Sequence, residues 1–183
     1  LMCLSSPSGK LQWTKMFGGS GSDMIYAVTP TNDGGFVIGG KSTSTDFDMK
    51  DIADGKTRAF IAKYDSDGNL AWVKALSSTL HCAVKGLAQA NDGSIYAAID
   101  TLAEDGDFKD LDGAKQDGRK SYTVIVKFNK DGERQWMQDF YEGGRVSMEN
   151  ICAAPDGGVV AAGYYAGGKS GNTGSFKSIY NGG

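Results

Sequence analysis

The chain holds one histidine, His81, so a centre built from several histidines is excluded and a histidine-driven triad is disfavoured. Cysteine is equally scarce. Cys3, Cys82 and Cys152 are spread too far apart to match a metal-ligand spacing, and three scattered thiols make no disulfide framework. Charge of one sign is lacking: 19 basic residues face 22 acidic ones, for a net charge of −3. The basic residues are scattered, which argues against nucleic acid or an anionic membrane as partner. No apolar run approaches the roughly 20 residues a membrane-crossing helix needs. Nothing runs long with a 3.6-residue apolar period, so helical repeats are excluded too. The glycine-rich Gly18-Gly19-Ser20-Gly21 lacks the lysine and helix of a phosphate loop. Cys3 follows Met2, where a lipid-bearing cysteine normally follows a small residue, so Leu1–Leu4 reads as a piece of strand.

What the chain has is glycine, 27 residues of 183 against only 3 prolines, with no three-residue period. That composition suits a turn-dense all-β chain long enough to bury a core as one domain. Its three tryptophans mark a repeat. Tyr64-Asp65-Ser66-Asp67-Gly68-Asn69-Leu70-Ala71-Trp72 returns as Phe128-Asn129-Lys130-Asp131-Gly132-Glu133-Arg134-Gln135-Trp136, with a shorter copy at Ser8–Trp13. Asp-Gly between apolar runs is a hairpin signal, because glycine takes the positive φ such turns need. Trp13 and Trp72 stand 59 residues apart, Trp72 and Trp136 stand 64 apart. Twenty residues after each comes another Asp-Gly: Asp33-Gly34, Asp92-Gly93 and Asp156-Gly157. An apolar run follows each time, then an Asp-rich loop in the first two copies.

Each copy reads as four short strands: 24–30, 35–42, 59–65 and 70–76 in the first, 83–89, 94–101, 122–128 and 134–140 in the second. Four short strands per fixed period predict an all-β fold, a β-propeller of four-stranded antiparallel blades. The whole chain, 1–183, then forms a propeller segment of about three blade-equivalents. One blade spans 22–76 and one 82–140. A partial blade spans 146–183, with Ser175–Tyr180 as its third strand and residues 10–17 completing it. Three blades are too few to close a ring, which predicts a fragment, or self-association through open blade edges into a multi-chain ring or filament. Alanines and glycines on the second strand are expected to let sheets approach closely, and tryptophan to plug the space between blades.

The pattern Phe17-Gly18-Gly19-Ser20-Gly21-Ser22-Asp23, Asp33-Gly34-Gly35-Phe36-Val37-Ile38-Gly39-Gly40, Ser42–Asp48 and Ile61–Trp72 resembles the bacterial secreted β-propeller repeat of the seven-bladed type. The resemblance runs to about residue 165. The second copy has Ser77-Ser78-Thr79 for Gly-Gly-Ser, and the third lacks the Asp-rich loop. A more distant similarity is to quinoprotein-type propellers, whose blades end in Asp-x-x-Gly-x-x-x-Trp. The resemblance implies an extracellular or cell-envelope protein and brings no catalytic residues to carry over.

Two groups of residues are candidates for chemistry. The Asp-rich loops offer Asp46, Asp48 and Asp51, then Asp105, Asp107, Asp110 and Asp112, as hard oxygen ligands for calcium, the one candidate cofactor. The alternative is a turn whose carboxylates bond backbone amides. The second group is where the copies disagree, at the start of the innermost strand. Ser22, Asp23 and Tyr26 stand opposite His81, Cys82 and Lys85, then Arg145, Val146 and Glu149. A ligand at a propeller's channel mouth would meet Ser22, Asp23, Tyr26, His81, Lys85, Arg145 and Glu149. These readings favour a non-enzymatic binding or scaffold module engaging a protein or glycan. The alternatives are a structural subunit assembling edge to edge, and a polysaccharide hydrolase or lyase using Glu142 and Glu149 with Asp23.

Overall fold

The computed structural model describes residues 1–4, 6–52, 54, 56–115, 121–141 and 144–166. The strands are β1 (Met2–Leu4), β2 (Leu11–Thr14), β3 (Asp23–Pro30), β4 (Phe36–Ser42), β5 (Thr57–Tyr64), β6 (Leu70–Ser78), β7 (Cys82–Gln89), β8 (Ile95–Thr101), β9 (Tyr122–Phe128), β10 (Arg134–Phe140), β11 (Arg145–Ala153) and β12 (Val159–Ala166). Helical structure among the described residues is short and of 3-10 type, at Phe47–Ile52, Gly106–Phe108 and Gly113–Lys115. No described helix is long and apolar enough to cross a membrane.

The strands make two four-stranded antiparallel sheets, β3-β4-β5-β6 and β7-β8-β9-β10, and two hairpins, β1-β2 and β11-β12. The eight strands of the two sheets fall where the repeat places them, with ends shifted by at most two residues. Within the stretch 10–17, expected to complete the unit begun at 146, Leu11–Thr14 pairs with Met2–Leu4. Closing a short local loop costs less chain entropy than reaching a strand far along the sequence. Trp13 then stacks on Phe36 at 5.8 Å, and Phe36 on Tyr64 at 4.9 Å, which docks the hairpin on the first sheet. The strand expected at Ser175–Tyr180 lies outside the described residues.

The turns form for local reasons. Gly34, Gly68, Gly93, Gly132 and Gly157 hold φ between 74° and 85°, the left-handed region that favours glycine. Asp65 Oδ1 accepts the amides of Asp67 and Asn69 at 2.9 and 2.8 Å. Asn129 Oδ1 does the same for Asp131 and Glu133 at 3.0 and 2.9 Å, so either residue builds the same side-chain turn.

The sheets pack through their leading strands. β7 lies against β3, β4 and β5, and β11 against β7, β8 and β9. The first cluster joins Val37, Ala59 and Ile61 to Val84, Leu87, Ile95, Ala97 and Ile99. The second, smaller cluster joins Tyr96, Ala98 and Ile125 to Ile151. Each buried Val- or Ile-sized side chain contributes about 1.5–3 kcal/mol of transfer free energy. Gly39 sets the first approach, since a Cβ there would come within 2.5 Å of Val84 Cγ1. The outer faces are bare by comparison. Leu87 is 7% exposed while Val28, its equivalent on β3, is 66% exposed. Tyr96 is 3% exposed while Val160, its equivalent on β12, is 58% exposed.

Candidate functional site

The leading strand pair carries the same irregularity three times. Register skips between Ile25 and Ala27 in β3-β4, between Val84 and Gly86 in β7-β8, and between Met148 and Asn150 in β11-β12. The extra residues are Tyr26, Lys85 and Glu149. A bulge leaves one residue outside the ladder and re-aims its side chain. The positions where the copies disagree are therefore positions that the backbone distorts in the same way.

Lys85 reaches from one sheet to the next. Lys85 Nζ of β7 sits 4.2 Å from the centroid of the Tyr26 ring on β3, a cation–π contact. The Arg145 guanidinium lies 5.6 Å from the Tyr164 ring. His81, half-buried ahead of β7, is held below its ordinary value by burial and then by the charges of Lys41, Lys85 and Arg145. Lys41, Asp100 and Tyr164 occupy one repeated place on the second strand, opposite Met24, Ala83 and Ser147. Asp100 is 4% exposed, and its Oδ1 has no hydrogen-bond partner. Burial pushes its carboxyl up to about 6, with Glu149 adding to the push and Arg145 and Lys85 opposing it. Glu149 accepts a hydrogen bond from Ser147 Oγ at 2.7 Å. None of the described ion pairs uses Lys41, Lys85 or Arg145.

Tyr26, His81, Lys85, Arg145 and Glu149 thus fall around one locus. Ser22 and Asp23 serve the framework. Ser22 N donates to Thr43 Oγ1 at 2.9 Å. Asp23 accepts from Ser42 Oγ, from Ser44 Oγ at 2.7 Å and from Gly19 N at 2.8 Å. Burial opposes the ionised form of Asp23, but these bonds, aided by Arg58, hold its carboxyl below the usual value. Of the carboxylates considered for glycoside chemistry, Asp23 is engaged on the first sheet, Glu149 lies on β11, and Glu142 falls outside the described residues.

The Asp-rich loops turn onto neighbouring backbone. Asp46 accepts Ser20 N at 2.7 Å and Asp48 accepts Gly18 N at 3.0 Å. One repeat later, Asp105 accepts Thr79 N at 3.0 Å and Ser78 Oγ at 2.7 Å, and Asp107 accepts Ser77 N at 2.8 Å. The Ser78 bond is the chief reason the Asp105 carboxyl stays below its usual value. Asp51 and Asp110 are exposed, and Asp112 pairs with Lys115 at 3.1 Å. Among the described residues, no group of three or more His, Cys, Asp or Glu is placed to hold a metal ion. Under the first loop lies the fully buried Arg58, whose Nη1 donates to Ser44 O at 2.8 Å and whose Nε is 3.0 Å from Asp54 Oδ1.

Sequence reasoning missed Lys41 and Asp100. The available signal was a charge closing an apolar run at the same repeat position, Phe36–Gly40 before Lys41 and Ile95–Ile99 before Asp100.

No protein-family model and no curated protein matches the chain. The fold is similar to the crystal structure of a protein of unknown function from Bacteroides caccae, with a TM-score of 0.53 at 12% identity. The match covers 86% of this chain and 44% of that one, so the chain spans less than half of that protein's length. The likeness is one of fold alone.

Proposed function

We propose that the chain is a stretch of β-propeller and serves as a non-enzymatic binding module of a secreted or surface-displayed bacterial protein, engaging a protein or glycan. In this reading each four-stranded sheet is a blade and each hairpin half of one. The observation that carries it is the shared bulge with a different residue each time. A bulge needed only for sheet shape has no reason to present an aromatic ring, a cation and a carboxylate in turn. Together they give a polar and aromatic surface suited to recognition. A glycan array and a pull-down, run with the wild type and with a Tyr26→Ala, Lys85→Ala, Glu149→Ala triple variant, test it. At least one ligand is expected to be held by the wild type and lost by the variant. Retention of every ligand by the variant, or turnover of a polysaccharide by the wild type, overturns the reading.

A second reading, a subunit assembling edge to edge, is favoured by the bare apolar faces at Val28 and Val160. Faces buried elsewhere in the same repeat invite another sheet of the same kind.

A further inference from the structure

The two hairpins are built as complementary halves of the repeated unit. A Cβ added at Gly163 of β12 would strike Ser147 O of β11, as one added at Gly40 of β4 would strike Met24 O of β3. β11-β12 is thus made like the first two strands of a sheet. β1-β2 is made like the last two. Cys3 stands opposite Trp13 beside a register shift, as Lys63 stands opposite Trp72 in β5-β6 and Lys127 opposite Trp136 in β9-β10. Among the described residues, no strand pairs with the second edge of β1 or of β12. Neither strand carries a charge or a proline, the residues that usually guard an exposed edge.

Each end of the chain also lacks what the other end offers. Gly9, in the turn between β1 and β2, takes a φ of 65° in the region used by Gly68 and Gly132, yet a Cβ added there would meet nothing within 4 Å. Trp13 covers the turn at Gly68 and Trp72 covers the turn at Gly132. Among the described residues this leaves exposed Trp136 without a turn and the Gly9 turn without a tryptophan. The faces show the same deficit. Leu1, Trp13 and Phe17 cover the first sheet at Phe36, Phe60 and Tyr64, while Ile25 and Val28 of β3 stay exposed. Their equivalents on β7, Val84 and Leu87, are buried over Gly39 of β4. The place of Gly39 is taken on β12 by Ala162, which is exposed. Within one chain the two hairpins stand apart, one packed on the first sheet and the other on the second.

We propose that the partner of these surfaces is a second copy of this chain, and that β11-β12 of one copy and β1-β2 of the other complete one four-stranded sheet. β12 pairs with β1 in the register of β4-β5, with Val160 opposite Cys3 as Val37 is opposite Lys63. Trp136 of one copy then covers the Gly9 turn of the other, and Ala162 of one copy lies under Ile25 and Val28 of the other. Each chain brings two whole sheets and two halves, so two copies joined at both ends close a ring of six sheets. Six falls within the four to eight that propellers use, and the nine sheets of three copies fall outside it. This rests on the edge-to-edge reading above and specifies its partner, strand pair and contacts.

Disulfide trapping in the full chain tests it, with Cys152→Ser removing the exposed thiol. Under mild oxidation Val160→Cys should link to native Cys3 of the other copy, because directly opposed antiparallel residues lie within disulfide reach. The linked species should run as two chains on a denaturing gel. Sedimentation equilibrium of the unlinked protein should give a dimer, and Trp136→Ala should raise its Kd by about tenfold. Val160 and Trp136 are exposed, so these changes leave the lone chain folded. A link within one chain, a ladder of longer species, or a Kd unmoved by Trp136→Ala overturns the proposal. A mass that rises with concentration without the Cys3 link leaves the edge-to-edge reading standing while this one falls. A mass independent of concentration removes both.

Discussion

The indole of Trp72 lies on the turn that holds Gly132. Its Nε1 donates to Lys130 O at 3.3 Å, and a Cβ added at Gly132 would come within 3.0 Å of the ring. Trp13 has the same relation to Gly68, where the added Cβ would stand 3.3 Å from the ring. Each of these tryptophans covers the Asp-Gly turn of the following sheet, half-buried, and Trp72 also packs against the first core cluster. Trp136 meets no such turn among the described residues and is 43% exposed. Tryptophan and the Asp-Gly turn recur together because they form the two sides of one contact between neighbours.

Trp72→Ala should therefore cost about 2 kcal/mol, below the roughly 3–5 kcal/mol of a fully buried aromatic. Trp136→Ala should cost less than about 1 kcal/mol. Urea unfolding of the two variants checks the contrast, and equal costs would mean that the turn contact contributes nothing.

The Asp-rich loops give a test by chelation. Asp105→Ala removes the acceptor for Thr79 N and Ser78 Oγ and should lower stability by about 1–2 kcal/mol. The loss should be the same in EDTA as in millimolar calcium. A wild-type melting temperature that falls on adding EDTA would point to a metal on these carboxylates.

Asp100 sets a pH dependence. Its folded-state value of about 6 lies above the ordinary 3.8, so the folded chain binds more protons between the two and loses stability as pH rises through that window. Asp100→Asn removes the buried charge and should stabilise by about 1–2 kcal/mol at pH 7.5, with the gain gone near pH 4. His81 acts in the opposite sense. Its value is held below 6.5, so its contribution is present above that pH and is lost on acidification. The gain in melting temperature of Asp100→Asn over the wild type should thus shrink steadily as pH falls from about 7.5 to 4. A wild-type profile that parallels the variant's would mean that Asp100 is solvated.

The bare faces predict association. Sedimentation velocity should show a weight-average mass that rises with concentration, and Val160→Lys should reduce the rise by placing a charge on an otherwise apolar face. A mass that is independent of concentration would remove the edge-to-edge reading.

The sequence alone determined the parts whose causes are local. Asp and Gly build a turn wherever they stand between apolar runs, so the turns at Gly68 and Gly132 and the strands beside them were legible to within two residues. Repeat offsets of 59 and 64 also marked Tyr26, Lys85 and Glu149 as equivalent and different, with no sign that each is a bulge. Tertiary structure decided everything that depends on a neighbour. It gave Leu11–Thr14 the partner Met2–Leu4, set Trp72 on a turn 60 residues on, and turned the Asp-rich loops onto backbone amides of the preceding linker. Asp100 shows the division most clearly. In sequence it ends an apolar run. Only the packing of β11 over β8 takes its carboxyl out of water and surrounds it with Arg145, Lys85 and Glu149, because desolvation and charge depend on distance through space, not along the chain.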